Sequence, residues 1–145
     1  MKKKGDKKQI DYLASWKRER ADFLNYKKDE SQRLRGSIEM IKEDMILELL
    51  PILDNIILAE KELPEDSNWT KGFLGIKAQV IDFLKKEGVE EIDCLDKKFD
   101  PHLHEAVEQI EGEESGIIVE IIQKGYNLNN KVLRPAKVKV TNKTL

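Results

Sequence analysis

The feature that most constrains the fold of this chain is an almost uninterrupted run of helix-favouring residues. Between residues 9 and 62 the only glycine is Gly36 and the only proline is Pro51. Such a run favours a helix, which would be about 80 Å long at roughly 1.5 Å per residue. Because 37% of the 145 residues are charged, the chain is too polar to bury a helix of that length in one compact globule. We therefore predict a long helix over residues 9–63, ended by Pro64.

Apolar residues along this segment recur with an 11-residue period. From Leu34 to Ile56 the apolar stripe advances 22 residues in six steps. The members of the repeat are Tyr12, Phe23, Leu34, Met45 and Ile56. This period keeps the stripe on one face of a nearly straight or slightly right-handed helix pair, whereas heptads would impose a left-handed coil. The stripe therefore predicts paired helices that differ from an ordinary leucine zipper.

Pro51 lies inside the predicted helix, where a proline removes one backbone hydrogen bond and costs about 3 kcal/mol. We expect a kinked but continuous helix there. The alternative is two helices that meet at Leu50. It is less favoured because the stripe keeps its phase through Ile52 and Ile56.

A second, shorter helix is predicted over residues 69–87. Ser67 or Asn68 can cap its start, and Gly88 can end it. Its apolar positions are spaced four, three, four and three residues apart, as on one face of a helix. They are Trp69, Phe73, Ile76, Val80 and Phe83.

The second helix can cover only the last third of the long one, so the stripe over residues 10–40 needs another partner. A second copy of the chain is the simplest cover, and we predict a homodimer. The predicted dimerisation residues are Leu13, Leu24, Leu34, Ile38, Ile41, Met45, Leu49, Ile52 and Ile56 on the long helix, and Phe73, Ile76 and Val80 on the second. Because Lys17, Lys28 and Ser31 interrupt the stripe, we expect this pairing to be marginal and to melt first.

Short β-like runs replace the helical pattern over residues 88–145. They begin at Val89, Ala106, Gly116 and Lys131, and the segments between them contain Gly and Asn, which favour turns. Residues 137–141 alternate outward Lys with inward Val. The predicted fold class is therefore α+β, with a small all-β domain after two helices.

Charge is unevenly distributed along the chain. Residues 1–35 hold 12 basic and 6 acidic residues, so the remainder carries a net charge of −8. Basic and acidic residues interleave from Lys17 to Arg35, as on a solvated helix, which favours a solvated face over a nucleic-acid site. We expect residues 1–8 to be disordered. The lone Cys94 and the lack of a long apolar stretch predict a cytoplasmic protein that binds no membrane.

His102, His104, Asp100 and Cys94 are the residues nearest to a metal or nucleophile site in the sequence. No second ligand pair or phosphate loop accompanies them, so structural histidines are the favoured interpretation. Asp100 and Pro101 are better explained as the start of a turn or helix. We predict neither catalysis nor a cofactor.

Motifs in all three segments point to one protein family. In the β-rich part, FDPHLHEAV begins at Phe99 and GYNLNNKVLRPAKVKV begins at Gly125. The long helix contains FLNYKKD from Phe23 and LLPILDNI from Leu49, and the second helix contains KGFLGIKAQVIDFLKKEGV from Lys71. In this order and spacing the motifs resemble the GrpE family, the nucleotide-exchange factors of DnaK-type chaperones.

The resemblance implies a parallel homodimer in which the short helices form a four-helix bundle with the long ones. It implies that one β-domain binds the nucleotide-binding domain of a DnaK-type chaperone, opens its cleft and weakens ADP binding, without itself binding nucleotide. The residues that it implies for chaperone binding are Gly72, Tyr126, Arg134, Pro135, Asn25, Lys27 and Lys28. Two alternatives remain open: a dimeric coiled-coil scaffold or adaptor without exchange activity, and a basic-arm nucleic-acid binder.

Overall fold

The computed structural model describes the backbone of residues 4–143 and the side chains of residues 11–143. Helix α1 spans Lys4–Glu60 and helix α2 spans Asn68–Lys86. Six strands follow: β1 Val89–Glu91, β2 His104–Glu111, β3 Ile118–Gln123, β4 Tyr126–Leu128, β5 Lys131–Arg134 and β6 Ala136–Asn142. The predicted α+β class is confirmed. The chain divides into two compact units, Met1–Lys42 and Glu43–Leu145.

The first unit consists of the earlier part of α1. Of the basic segment 1–8, for which disorder was predicted, residues 1–3 lie outside the described residues, and α1 begins at Lys4 rather than at residue 9. From residue 11 to residue 40 every side chain is exposed. The interactions recorded here are local, such as the Arg20 guanidinium 5.4 Å from the centre of the Trp16 ring.

The later part of α1 belongs to the second unit and has a buried face. Pro51 lies inside α1, so the helix is continuous as predicted, while the kink remains a prediction. Ile46, Leu50 and Leu53 are buried against Leu84 of α2. The rest of this first core comes from the strands that follow: Val89, Tyr126 and Leu128. The sequence stripe did not include these buried helix positions.

Both ends of α2 follow the chemistry that the sequence predicted. The Ser67 hydroxyl accepts a hydrogen bond from the Thr70 backbone N–H at 3.0 Å and caps the helix. Gly88 has φ +88°, a left-handed conformation that favours glycine after a helix. The helix therefore ends one residue before the predicted boundary and turns directly into β1.

The C-terminal residues form two three-stranded sheets. The first has the order β1-β4-β5 and is antiparallel, and it packs on the helices. The second has the order β2-β6-β3, with β2 parallel and β3 antiparallel to β6. Its inner face forms a second core from Ile118, Ala136, Val138 and Val140 together with Cys94.

Two details of the predicted strands were wrong. The run from Lys131 was expected to be one strand, but Pro135 divides it into β5 and β6, which belong to different sheets. Strand β4 was not predicted at all, because the alternation of its three residues is too short to be distinguished from a turn. The predicted turn at Asn129 and Asn130 is confirmed, since both residues have positive φ.

Candidate functional site

Tyr126 and Arg134, two of the predicted chaperone contacts, lie opposite each other on β4 and β5. The Arg134 guanidinium carbon lies 5.5 Å from the centre of the Tyr126 ring. Tyr126 is 6% exposed, and the Arg134 side chain is 15% exposed. The fold therefore leaves little of either side chain accessible to a second protein.

The Arg134 guanidinium forms a bidentate ion pair inside the second unit. Its Nη1 donates to Oδ2 of Asp54 on α1 at 2.7 Å, and its Nη2 donates to Oδ1 at 2.9 Å. Its Nε donates to the Lys124 backbone carbonyl at 3.1 Å. Gln123 Nε2 also donates to Asp54 Oδ2, at 3.0 Å. Sequence reasoning placed Asp54 in a helix motif but missed its partner, because 80 residues separate the two.

The Tyr126 hydroxyl is not available for acid–base chemistry near neutral pH. Burial first, and then the carboxylates of Glu91 and Asp54, raise its pKa to about 12, against the opposing charge of Arg134. The side chain therefore stays neutral. Its role in this position is to fill the first core and to support the Arg134 guanidinium.

The backbone of Gly125 lies against the start of β6. A Cβ on Gly125 would lie only 2.8 Å from the Pro135 carbonyl carbon and 2.9 Å from the Ala136 Cα. Only glycine lets the two backbone segments approach this closely. Pro135 itself is half-buried, so part of its ring is accessible.

The predicted contacts on the helices are exposed. Asn25, Lys27 and Lys28 lie on the exposed part of α1, and the Lys27 Nζ lies 5.1 Å from the centre of the Phe23 ring. Gly72 is exposed on α2, and a Cβ added there would meet no atom of the chain within 4 Å. It lines an open groove of about 520 Å³ with Leu63, Asn68, Trp69, Phe73 and Ile76. A side chain at position 72 would therefore clash only with another molecule that packs on α2.

The predicted dimerisation residues lie away from the chain's own cores or at their margin. The exposed members are Leu13, Leu24, Leu34, Ile38, Ile41, Met45, Ile52 and Ile76. The half-buried members are Leu49, Ile56, Phe73 and Val80. Leu49 and Val80 pack at the edge of the first core.

Strands β2, β3 and β6 carry a charged cluster and exposed apolar side chains. Lys139 Nζ lies 3.2 Å from a Glu108 carboxylate oxygen and 3.0 Å from one of Glu120, and hydrogen bonds to these carboxylates raise the Lys139 pKa. Exposed apolar side chains on β2 and β3 accompany this group. We call them the β2–β3 patch: Val107, Ile110, Val119 and Ile122. Sequence alternation predicted the outward lysines of β6 but not the neighbours that parallel pairing with β2 supplies.

His104 is buried at the start of β2, and its interpretation as a structural histidine stays a prediction. Its Nδ1 accepts a hydrogen bond from the Asp100 backbone N–H at 2.9 Å, while its buried Nε2 has no hydrogen-bond partner among the residues that the structure describes. The Asp100 carboxylate accepts from the His102 N–H at 2.9 Å, which makes the predicted turn. Within residues 11–143, no group of three or more His, Cys, Asp or Glu side chains is placed to hold a metal ion. In the same part of the chain, neither helix has an apolar stretch long enough to cross a membrane.

The family model described as GrpE matches residues 2–142 of this chain. Protein GrpE of Bacillus velezensis is 38% identical over 128 residues, which are 85% of this chain and 67% of that protein. Protein GrpE of Parageobacillus thermoglucosidasius is 40% identical over 126 residues, 83% of this chain and 56% of that protein. Protein GrpE of Halalkalibacterium halodurans is 42% identical over 125 residues, 83% of this chain and 64% of that protein. The chain thus spans between about half and two thirds of the length of these relatives, and it belongs to the GrpE family.

Proposed function

We propose that this protein is a nucleotide-exchange co-chaperone of a DnaK-type chaperone. It binds the nucleotide-binding domain of that chaperone, opens the cleft and accelerates ADP release, so that ATP can rebind and substrate can leave. The observation that carries this proposal is the GrpE family match over residues 2–142. The protein itself performs no bond chemistry in this mechanism and contributes to protein folding and the heat-shock response through its partner.

Homodimerisation is part of the proposal. The exposed apolar stripe on α1 and the exposed apolar side chains of α2 support it, since a single chain leaves these side chains in water. A parallel partner would cover the α1 stripe, and the Phe73–Ile76–Val80 face of α2 would complete a four-helix bundle. Sedimentation that shows a monomer at micromolar concentration would overturn this part.

Accessibility divides the proposed chaperone contacts into two groups. Asn25, Lys27, Lys28 and Gly72 are exposed and can touch a partner directly. For the β-domain, residues 88–143, we propose that the β2–β3 patch makes the main contact with the chaperone, with Pro135 as a smaller one. Tyr126 and Arg134, being mostly buried, support the proposed contact from inside.

Thermodynamic linkage determines how ADP changes the affinity of the chaperone for this protein. If binding of this protein lowers the affinity of the chaperone for ADP, then ADP lowers the affinity of the chaperone for this protein by the same factor. ATP, which favours a closed cleft, then displaces the exchange factor. The protein therefore acts by shifting a population of chaperone conformations.

The test is the rate of release of a fluorescent ADP analogue from a DnaK-type chaperone, with and without this protein. The variant Ile122→Lys places a charge in the β2–β3 patch and should raise the half-saturating concentration. Leu95→Lys is the matched control, because Leu95 is similarly exposed, 47% against 49%, and lies outside the sheet. No acceleration by the unmodified protein at saturation would favour the scaffold or adaptor alternative. If Ile122→Lys and Leu95→Lys change the half-saturating concentration equally, the β2–β3 patch is not the main chaperone contact.

A further inference from the structure

The ion pair between Asp54 and Arg134 connects a helix to the joint between the two sheets. Two chain connections cross from one sheet to the other near Arg134. One is residues 124–125, between β3 and β4, and the other is Pro135, between β5 and β6. The Arg134 Nε binds the first connection through the Lys124 carbonyl, and Arg134 itself immediately precedes the second. The guanidinium therefore contacts the helix and the joint at the same time.

A third connection reaches the same place. The Ile92 backbone N–H, just after β1, donates to the Gly125 carbonyl at 2.9 Å. The close approach of Gly125 to Pro135 and Ala136 brings the other two connections into van der Waals contact. All three connections between the two sheets therefore lie within one or two residues of Arg134 itself or of Lys124, whose carbonyl Arg134 binds.

The geometry of this pair constrains direction as well as distance. A planar guanidinium that meets both oxygens of one carboxylate has a preferred orientation, which a lysine ammonium lacks. The side chains of Arg134 and Asp54 are 15% and 22% exposed, so water competes weakly for these hydrogen bonds. The Tyr126 ring beneath the guanidinium limits its remaining movement.

A second ion pair between α1 and β5 provides a contrast. Lys131 Nζ lies 2.7 Å from a Glu43 carboxylate oxygen, but the Lys131 side chain is 67% exposed. An exposed lysine on a flexible stem makes an ion pair of little energetic value and little directional preference. Glu43 and Lys131 join the same two elements without fixing their angle.

We propose that Asp54 and Arg134 are positioning residues that set the orientation of the β2-β6-β3 sheet on α1 for nucleotide exchange. This inference rests on the proposed function. A sheet that pushes one lobe of a chaperone must be held at a defined angle to the helix that supports it. Functional sites generally tolerate only about 10–20° of angular error. The pair acts through the sheet and does not itself touch the chaperone.

The experiment compares the full-length variants Asp54→Asn, Arg134→Lys and their double variant, with Glu43→Gln as the control. Maximal rate and half-saturating concentration of ADP release are measured at a temperature where circular dichroism shows each variant folded. Asp54→Asn and Arg134→Lys should each lower the maximal rate by roughly tenfold while the half-saturating concentration changes by less than about twofold. The double variant should be no worse than either single one, since both remove the same interaction. Glu43→Gln should leave both quantities unchanged.

Two kinetic results would overturn the inference. If Arg134→Lys raises the half-saturating concentration while Asp54→Asn is silent, Arg134 is a direct chaperone contact. If the two single effects add in the double variant, the residues act independently.

Hydrogen exchange tests the pair without the chaperone, so failure of the proposed function can be distinguished from failure of this inference. Exchange of the Ile92 amide, which donates across the joint, should become roughly tenfold faster in Asp54→Asn and stay unchanged in Glu43→Gln. Unchanged Ile92 exchange in Asp54→Asn would reject the positioning role even if the unmodified protein accelerates ADP release.

Discussion

The two units of this chain differ in the exposure of their apolar side chains. In residues 11–40 every side chain is exposed, and an ion pair on the helix surface, Arg33 with Glu30 at 3.7 Å, joins residues three apart. In residues 43–143 two cores bury aliphatic side chains from α1, α2 and the strands. Leu34 is 62% exposed, whereas Leu50 in the later part of the same helix is 0% exposed.

The difference teaches which part of the chain carries its own stability. A helix held mainly by local contacts is marginal in water, because most helical stability in proteins comes from packing an apolar face. The second unit supplies that packing for the later part of α1. The first unit has an apolar stripe that is exposed in the single chain, and we propose that a second copy covers it.

Heating should separate the two units, and this is the largest effect that we expect. Far-ultraviolet circular dichroism should show reversible loss of helix at a temperature below the unfolding of the β-domain. The lower transition should move upward with protein concentration, because a proposed second copy stabilises it by mass action. A single cooperative transition would contradict the division into independent units.

Truncation of one leucine in each unit should give very different costs. Leu50→Ala removes a fully buried side chain from the first core and should lower the unfolding free energy of the second unit by about 3 kcal/mol. Leu34→Ala should change that quantity by less than about 0.5 kcal/mol, because Leu34 is exposed in the single chain. Denaturant unfolding followed by a β-domain signal measures both. Similar costs would mean that the two units unfold together.

Replacement of glycine by alanine should have opposite signs in the two units. Gly125→Ala forces the Pro135 and Ala136 backbone apart and should destabilise the second unit by about 2 kcal/mol. Gly36→Ala meets no atom of the chain within 4 Å and should stabilise the helix by about 0.5–1 kcal/mol. Thermal melting of each transition measures the effects. A destabilising Gly36→Ala would indicate that a partner helix packs closely on Gly36.

Acidification should produce the smallest effect, and only in the second unit. Burial lowers the pKa of His104 below its ordinary value of 6.5, against the charge of Asp100, so the folded state binds fewer protons than the unfolded state. The stability that His104 contributes is therefore complete above about pH 6.5 and is lost as the pH falls towards the lowered pKa. Protonation would also remove the acceptor for the Asp100 N–H. The melting temperature of the β-domain should fall between about pH 7.5 and pH 5.5.

The variant His104→Gln should abolish this pH dependence, because its amide oxygen does not titrate. His102→Gln is the control, since His102 is exposed and should leave the pH dependence intact. If His104→Gln melts with the same pH dependence as the unmodified protein, other groups are responsible.

The parts of the fold that sequence reasoning predicted correctly are those set by local chemistry. Ser67 caps α2, Gly88 ends it, and Asn129 with Asn130 makes a turn, because side-chain oxygens and positive φ act within a few residues. Helix continuity through Pro51 was also predicted from the phase of the apolar stripe. Strand β4 was missed because it has only three residues. The division at Pro135 was missed because β6 pairs with β2 and β3, which come earlier in the chain, instead of continuing β5.

The candidate site was predicted in part for the same reason. The GrpE motifs selected Arg134 and Tyr126 as important positions, but a motif does not tell whether a side chain faces a partner or the interior. The structure places both against α1 and the first core, where Asp54 and Lys124 bind the guanidinium. Of the exposed β2–β3 patch only Val107 lies in a family motif, and the patch became visible only when β2 and β3 paired with β6.

By itself the sequence determined the presence of two helices, the cap of α2, the apolar stripe and the family, because all of these are read from spacing along one chain, while α1 begins earlier and ends earlier, at Glu60, than the predicted range 9–63. Only the tertiary structure decided which face of α1 the chain covers for itself. The buried face contains Ile46, Leu50 and Leu53, and the stripe through Met45 and Ile52 stays outside. Helical periodicity places apolar residues on faces, but which face is buried depends on α2 and on strands that follow later in the chain, and no local pattern encodes these contacts.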